Sequence, residues 1–298
     1  MALRPRRVLD ESEAAAPSET ADARNLRLRL ISQLTFEVIP LKSIDDAIAA
    51  LPAASRVSVT VSAAKGQDAT REITEQLLQA GHQAVPHVSA RLIPDRKRVV
   101  QLAGWLRSTE LTTMFLVGGD AESPGAYPDA AGLLSHLLEC DHGLATIGVT
   151  GYPHGHPLIG EHALHQALHA KQSLLAEAGV AGYCSTQMCF DPGRIIRWLR
   201  GERAAGLTLP VHLGVAGVVD RAKLLTVGAR LGVGSSLRFL RKNLAATAKL
   251  MTASSYDPNQ ILAALSPDMT GLGVEGLHVF TFNQVAATAA WQSASLAG

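Results

Sequence analysis

Short apolar runs rich in Val, Ile, Leu and Thr alternate along the chain with longer stretches whose apolar positions fall at helical spacing. The runs lie at 33–39, 56–62, 83–88, 112–118, 145–152, 182–187, 211–216 and 277–282. Most are apolar on both faces, as strands covered on both sides tend to be. Helical stretches fall between them at 69–80, 95–108, 130–139, 160–178, 192–204 and 220–231. Local chemistry marks several of these boundaries. Asp191-Pro192 reads as an N-cap followed by proline at the first helical position, and Pro94-Asp95 opens a helix in a similar way. Gly81, Gly179, Gly206 and Gly232 stand where helices should end. The one irregular interval, 234–270, holds a basic-apolar helix over 236–252, with Arg238, Arg241, Lys242 and Lys249, and a short helix over 259–265.

Eight strand–helix units in about 270 residues predict an α/β fold of the (β/α)8 TIM-barrel type, which typically needs ~250. The barrel is expected as a single domain over 27–298, with extra helices before the last strand. A doubly wound sheet would place a glycine-rich turn after its first strand. Here that strand ends Phe36-Glu37-Val38-Ile39-Pro40, without a glycine.

Composition narrows the function classes. Hydrophobic residues make up 47% of the chain and charged ones 18%, which excludes a disordered protein. Lys and Arg total 27 against 26 Asp and Glu, so a nucleic-acid partner held by phosphate neutralisation is not expected. No apolar run is long enough for a membrane span. Cys140, Cys184 and Cys189 form no C-x-x-C pair and suit a reducing cytoplasm. The first residues are basic but lead into an acidic, small-residue stretch instead of an apolar core, so 1–26 is expected to be a mobile, disordered tail and not a signal peptide.

In a barrel, reactive groups gather where strands end and βα loops begin. The strand ends carry Glu37, Thr60, His87, Asp120, Tyr152 with His154 and His156, Gln187, Gly214, and Phe282-Asn283. A carboxyl inside an apolar run is poorly solvated in its charged form, the condition under which it can act as a proton donor near neutral pH. Glu37 is therefore the leading catalytic candidate, with a structural hydrogen bond to neighbouring loops as the alternative. Asp120 follows Gly118-Gly119, where the backbone can approach a ligand, and is otherwise a turn residue or helix cap. His87 is either a ligand contact or a satisfied core histidine. Gln187 offers a donor and an acceptor to a flat heterocycle, or else bridges strand ends. The segment 214–220 could hold phosphate at the start of the following helix, although a barrel loop needs glycine anyway. Lys42, Lys65, Arg91 and the group Arg238, Arg241 and Lys242 could attract an anionic ligand, and most are expected to be solvated surface charges.

His154-Gly-His156 and the ladder His162, His165, His169 have spacings that can chelate. The ladder marks one face of a helix, and no acidic pair or cysteine cluster joins it in the sequence. No metal is expected.

Taken together, the strand-end residues resemble the methylenetetrahydrofolate reductase family over roughly 30–295. Phe36-Glu37-x-x-Pro40 is similar to the family's opening F-E-F-F-P-P, Ser58-Val-Thr60 to its S-V-T, and Pro86-His87 to its P-H-L-T. Gly119-Asp120 matches the end of L-R-G-D, and Tyr152-Pro-x-x-His156-Pro157 matches Y-P-E-x-H-P. Thr186-Gln187-x-x-Phe190-Asp191 resembles T-Q-x-F-F-D, Gly214 its P-G-I-x-P, and Phe282-Asn283 the end of Y-T-L-N. The resemblance implies a barrel enzyme that reduces 5,10-methylenetetrahydrofolate to 5-methyltetrahydrofolate with a nicotinamide. It implies Glu37 as the general acid, with Asp120 offsetting a cationic intermediate. Substrate would be held by Asp120, Gln187, Thr60 and Phe282, and the cofactor by His87, Tyr152, Gly118 and Gly119.

The departures concern the flavin that family members usually carry. The arginine of L-R-G-D is Gly118 here, and the glutamate of Y-P-E is His154. The family's flavin-binding Asp, Asn and Lys correspond to Leu168, Lys171 and Leu175, and its stacking phenylalanine to Val227. Pterin-side residues persist while flavin-side residues are lost, so FAD is doubtful and direct hydride transfer from NADH or NADPH is expected, with NADH preferred. An ordinary FAD-dependent reductase, a metal-dependent barrel hydrolase, a pterin-dependent methyl carrier and a non-catalytic folate-binding relative remain the alternatives. The oligomeric state is open. Arg238 or Arg241 is a candidate contact for the folate's glutamate tail.

Overall fold

The computed structural model describes residues 19–122, 124–220, 222–224, 226 and 255–297. Eight parallel strands pair in chain order, and the last pairs back with the first to close a barrel. They are β1 (Thr35–Val38), β2 (Arg56–Val59), β3 (Gln83–Ser89), β4 (Thr113–Val117), β5 (Thr146–Gly151), β6 (Ala181–Thr186), β7 (Val211–Ala216) and β8 (Val274–Phe280). The helices are α1 (Ala21–Ser32), α2 (Ile44–Ala49), α3 (Gly66–Gln79), α4 (Arg96–Ser108), α5 (Ala130–Leu138), α6 (Glu161–Glu177), α7 (Pro192–Ala204), α8 (Asn259–Met269) and α9 (Val285–Ala297). This is the (β/α)8 barrel that the alternation predicts, with α8 before the last strand.

Alternate strand residues separate two apolar layers, because successive side chains on a strand point to opposite faces. Phe36, Val38, Val57, Val59, Met114, Leu116, Ile147 and Val149 join the core between strands and helices. The intervening positions turn into the barrel, where Phe115 and Tyr183 lie with ring centroids 6.1 Å apart. Gly148 on β5 makes room for them, since a Cβ there would stand 2.4 Å from both Phe115 and Tyr183.

Helix starts follow the expected chemistry. Asp95 accepts the Arg98 N–H at 2.8 Å, and Asp191, followed by Pro192, accepts the Arg194 N–H at 3.0 Å.

The expected tail is corrected at its end, because α1 begins at Ala21, six residues inside it. Thr20 caps this helix through the Ala23 N–H at 3.2 Å, Glu19 pairs with Arg27 at 2.8 Å, and Ala23, Leu26, Leu30 and Ile31 are buried. Apolar spacing within 23–31 was masked by the polar residues around it, but it suffices to dock α1 on α8 and α9. Residues 1–18 lie outside the described residues. So do the basic helix expected over 236–252, with Arg238, Arg241, Lys242 and Lys249, and the position Val227. Of the helix expected over 220–231, residues 220, 222–224 and 226 are described; Asp220 forms an isolated bridge with Ser255, and the others are helical. No helix among the described residues is long and apolar enough to cross a membrane.

Candidate active site at the barrel mouth

Glu37 sits near the end of β1 with its side chain in the barrel, 6% exposed. Its Oε2 lies 2.8 Å from Nε2 of His278, which β8 brings alongside β1. A hydrogen bond of that length across two buried groups holds a proton between a carboxyl and an imidazole. The backbone is fixed as tightly as the side chain. The Thr281 hydroxyl donates to the Glu37 carbonyl at 2.6 Å. Asn283 then clamps the next turn, accepting from the Ile39 N–H at 2.8 Å and donating to the Ile39 carbonyl at 2.9 Å. Both Phe282 and Asn283 take positive φ, 50° and 62°, which turns the chain sharply enough for this clamp.

His87 of β3 completes the cluster. Its Nε2 lies 2.7 Å from the Ser58 hydroxyl and 4.0 Å from Glu37 Oε2. Burial, with a smaller contribution from nearby His278, holds the His87 imidazole well below its ordinary range. It is therefore neutral, and its approach to Glu37 is not an ion pair. Phe115 lies against it, ring centroids 4.8 Å apart, and Gln67 donates to the His87 carbonyl at 2.7 Å. The three ligand atoms of Glu37, His87 and His278 converge closely enough to be considered for a metal. All three residues are buried, and the Glu37–His278 and Ser58–His87 hydrogen bonds pair their polar atoms.

The other expected residues occupy the rim. Thr60 follows the last residue of β2, and its N–H bonds to the Val38 carbonyl at 3.0 Å. Asp120 is exposed beyond β4, after Gly119 at φ +90°, where a Cβ would meet the Ser89 hydroxyl at 1.9 Å. Arg91 holds this loop through the carbonyls of Ala121 at 2.6 Å and Glu122 at 2.9 Å, so it is committed to structure and not simply solvated. Gly118 accepts from the Arg91 N–H at 3.0 Å. The Gln187 side-chain oxygen accepts from the Met188 N–H at 2.8 Å, which leaves its amide NH2 to donate. Phe282 is buried in an apolar cluster with Met188, Phe190, Tyr256 and Phe280. Tyr152 is half-buried, its ring at right angles to His156, and burial pushes its phenol up.

Other candidates are reassigned. His154 meets the Cys189 thiol at 3.2 Å, and His156 accepts the Leu158 N–H at 3.2 Å, so the pair does not converge on a common point. Asp220 accepts the Lys223 N–H at 3.0 Å. A capping carboxylate at the helix start after 214–220 argues against phosphate there. The helix ladder does have an acidic partner, supplied from elsewhere in the chain. Glu202 of α7 bonds His165 and His169, a pairing invisible to sequence spacing.

On α6, the places where the resemblance puts flavin contacts do not fit one. Leu168 and Leu175 are buried apolar residues on α6. Lys171 is 5% exposed and donates to the Ala167 carbonyl at 2.7 Å. Burial pushes its ammonium down to about 8, which weakens it as a phosphate partner.

Sequence reasoning missed His278, Ser58 and Thr281. The available signal was alternation on the last strand, where 276, 278 and 280 share a face and a histidine interrupts apolar residues.

A family model described as methylenetetrahydrofolate reductase matches residues 46–294. Among solved structures, a Burkholderia cenocepacia J2315 protein provisionally described as a phosphonomutase is 15% identical, with 92% of this chain and 96% of that chain covered and a TM-score of 0.45. Another from the same organism, provisionally described as a lyase or mutase, is 15% identical, with 92% and 86% covered and a TM-score of 0.41. Neither likeness bears on activity.

Proposed function

The chain belongs to the methylenetetrahydrofolate reductase family, and we propose that it reduces 5,10-methylenetetrahydrofolate to 5-methyltetrahydrofolate with hydride taken directly from NAD(P)H. The observation that carries this reading is Glu37, buried in the barrel and hydrogen-bonded to His278 at 2.8 Å.

Glu37 donates a proton to N10 of the folate, and the C–N10 bond breaks as the N5 lone pair forms an iminium with the one-carbon unit. A dihydronicotinamide then delivers hydride to that carbon, giving the N5-methyl group and the oxidised nicotinamide. One proton and one hydride are consumed per turnover. The His278 Nε2–H donates to Oε2 while the transferred proton sits on Oε1, so the pair stays hydrogen-bonded before and after Glu37 gives up that proton. Neutral His87, bonded to Ser58, adds no positive charge against the iminium. Asp120 at the rim offsets that cation, and the free amide NH2 of Gln187, with Thr60, orients the pterin against Phe282. His87, Tyr152, Gly118 and Gly119 border the nicotinamide.

The flavin-free form of the reaction is supported by the misfit on α6. Leu168 and Leu175 offer no hydrogen bonds, Lys171 is turned into the core, and Gly118 has no side chain where the resemblance calls for arginine. Charge-assisted contacts to a diphosphate are hard to replace. The test is an absorption spectrum of the purified protein followed by NADH and NADPH oxidation in the presence of the folate. We expect a colourless protein with folate-dependent oxidation. A stoichiometric flavin spectrum would return the chain to the flavoenzyme mechanism, and oxidation that ignores folate would remove the reductase assignment.

A further inference from the structure

We propose that His165, His169 and Glu202 form a site for a divalent transition-metal ion of the zinc type, tying α6 to α7. The site stands on different residues from the reduction chemistry and does not rest on it. His165 and His169 are one helical turn apart on α6, so their side chains rise from the same face. Their ring centroids are 4.4 Å apart. Glu202 comes from the neighbouring helix, and its Oε2 lies 2.8 Å from His165 Nδ1 and 2.9 Å from His169 Nε2.

Three donor atoms of two kinds thus lie within 4.8 Å of one another. Two imidazole nitrogens and one carboxylate oxygen are ligands that zinc takes readily at ~2.0–2.2 Å, with a fourth position open to water or another ligand. In a tetrahedral arrangement such donors stand roughly 3.3 Å apart, so each nitrogen–oxygen contact need open by only about half an ångström. The geometry allows this small adjustment, because the His165 side chain is 40% exposed and His169 is 21% exposed, whereas Glu202 is anchored at 9%. Without an ion, each ring places an N–H against the same oxygen. With an ion, the metal takes the place of those two protons.

The surroundings leave the fourth position accessible. His165 and Glu202 border a cavity of about 630 Å³ between α6, α7 and the loop after β5, which Tyr152, Arg194, Arg197 and Trp198 also line. That cavity gives an ion a route in and room for a water ligand. Because α6 and α7 flank β6, whose end carries Gln187, the ion would brace that side of the barrel.

The test is titration of the tag-free full-length protein with Zn2+ alone by calorimetry, with Co2+ absorption as a second readout of coordination geometry. We expect one ion per chain, tetrahedral cobalt bands and a melting temperature that rises with metal concentration. His169→Gln should weaken binding at least about tenfold, since even partners of metal ligands are worth 10–100-fold. The same variant should keep its folate-dependent NAD(P)H oxidation and its metal-free melting temperature. Glu202→Gln should also weaken binding, and His154→Gln/His156→Gln should not. Absence of saturable binding, or binding unchanged by His169→Gln, would overturn the site.

Discussion

At Glu37 the environment supplies what a proton donor in the proposed reaction needs: burial, one strong partner, and a backbone fixed by hydrogen bonds. Replacing it with glutamine removes the transferable proton while keeping shape and a hydrogen bond to His278. We expect Glu37→Gln to lower turnover by ~10²–10⁴-fold, the usual worth of a general acid, with folate affinity nearly unchanged in equilibrium binding. Full activity in that variant would assign the proton to another group. Gly148 makes the opposite demand, for emptiness. A methyl there would overlap both Phe115 and Tyr183, so Gly148→Ala should lose about 1–3 kcal/mol in urea unfolding. Glu37 was legible in the sequence because a carboxyl in an apolar run is conspicuous. His278 was not, since its partner is 241 positions away along the chain.

Among the elements, the exit of β8 does more for the site than its sequence suggested. Thr281 and Asn283 tie that exit to the exit of β1, so the barrel's closing seam is also the support of the proposed proton donor. Asn283→Asp would keep the acceptor for the Ile39 N–H but set a carboxylate oxygen against the Ile39 carbonyl. We expect a loss of about 1–3 kcal/mol in unfolding and a lower kcat, because the strand end bearing Glu37 loosens. An unchanged kcat would separate the clamp from the chemistry. Strand positions were readable along the whole chain, because an apolar run buried on two faces has few other uses. Helix α1 was not readable, since half its surface is charged and only docking on α8 and α9 gives its apolar stripe a purpose.

Across the whole molecule, the barrel interior holds histidines that stay neutral. His212 of β7 stacks on Tyr183 with centroids 4.2 Å apart, and burial, then the Arg56 charge, pushes it down to about 3. His87 is lowered in the same direction by its burial. An unfolded histidine binds a proton near pH 6.5, whereas these do not in the fold, so the unfolded state takes up more protons as the pH falls. The His212 contribution is complete above about pH 6.5 and is lost progressively toward pH 3, with a slope of up to about 1.4 kcal/mol per pH unit, and His87 acts in the same direction. Urea unfolding between pH 7 and pH 4 should show this decline, and His212→Gln should flatten it; equal slopes in the two proteins would mean that His212 is not the group responsible. By itself the sequence determined the strand–helix alternation, hence the barrel, and the strand ends where polar groups interrupt apolar runs, because both are local patterns that neighbouring residues create. Tertiary structure alone decided which groups meet: Glu37 with His278, Asn283 with Ile39, and Glu202 with His165 and His169. Those pairings join residues that chain spacing leaves unrelated, and only closure of the barrel and the docking of α6 beside α7 bring their atoms within hydrogen-bonding distance.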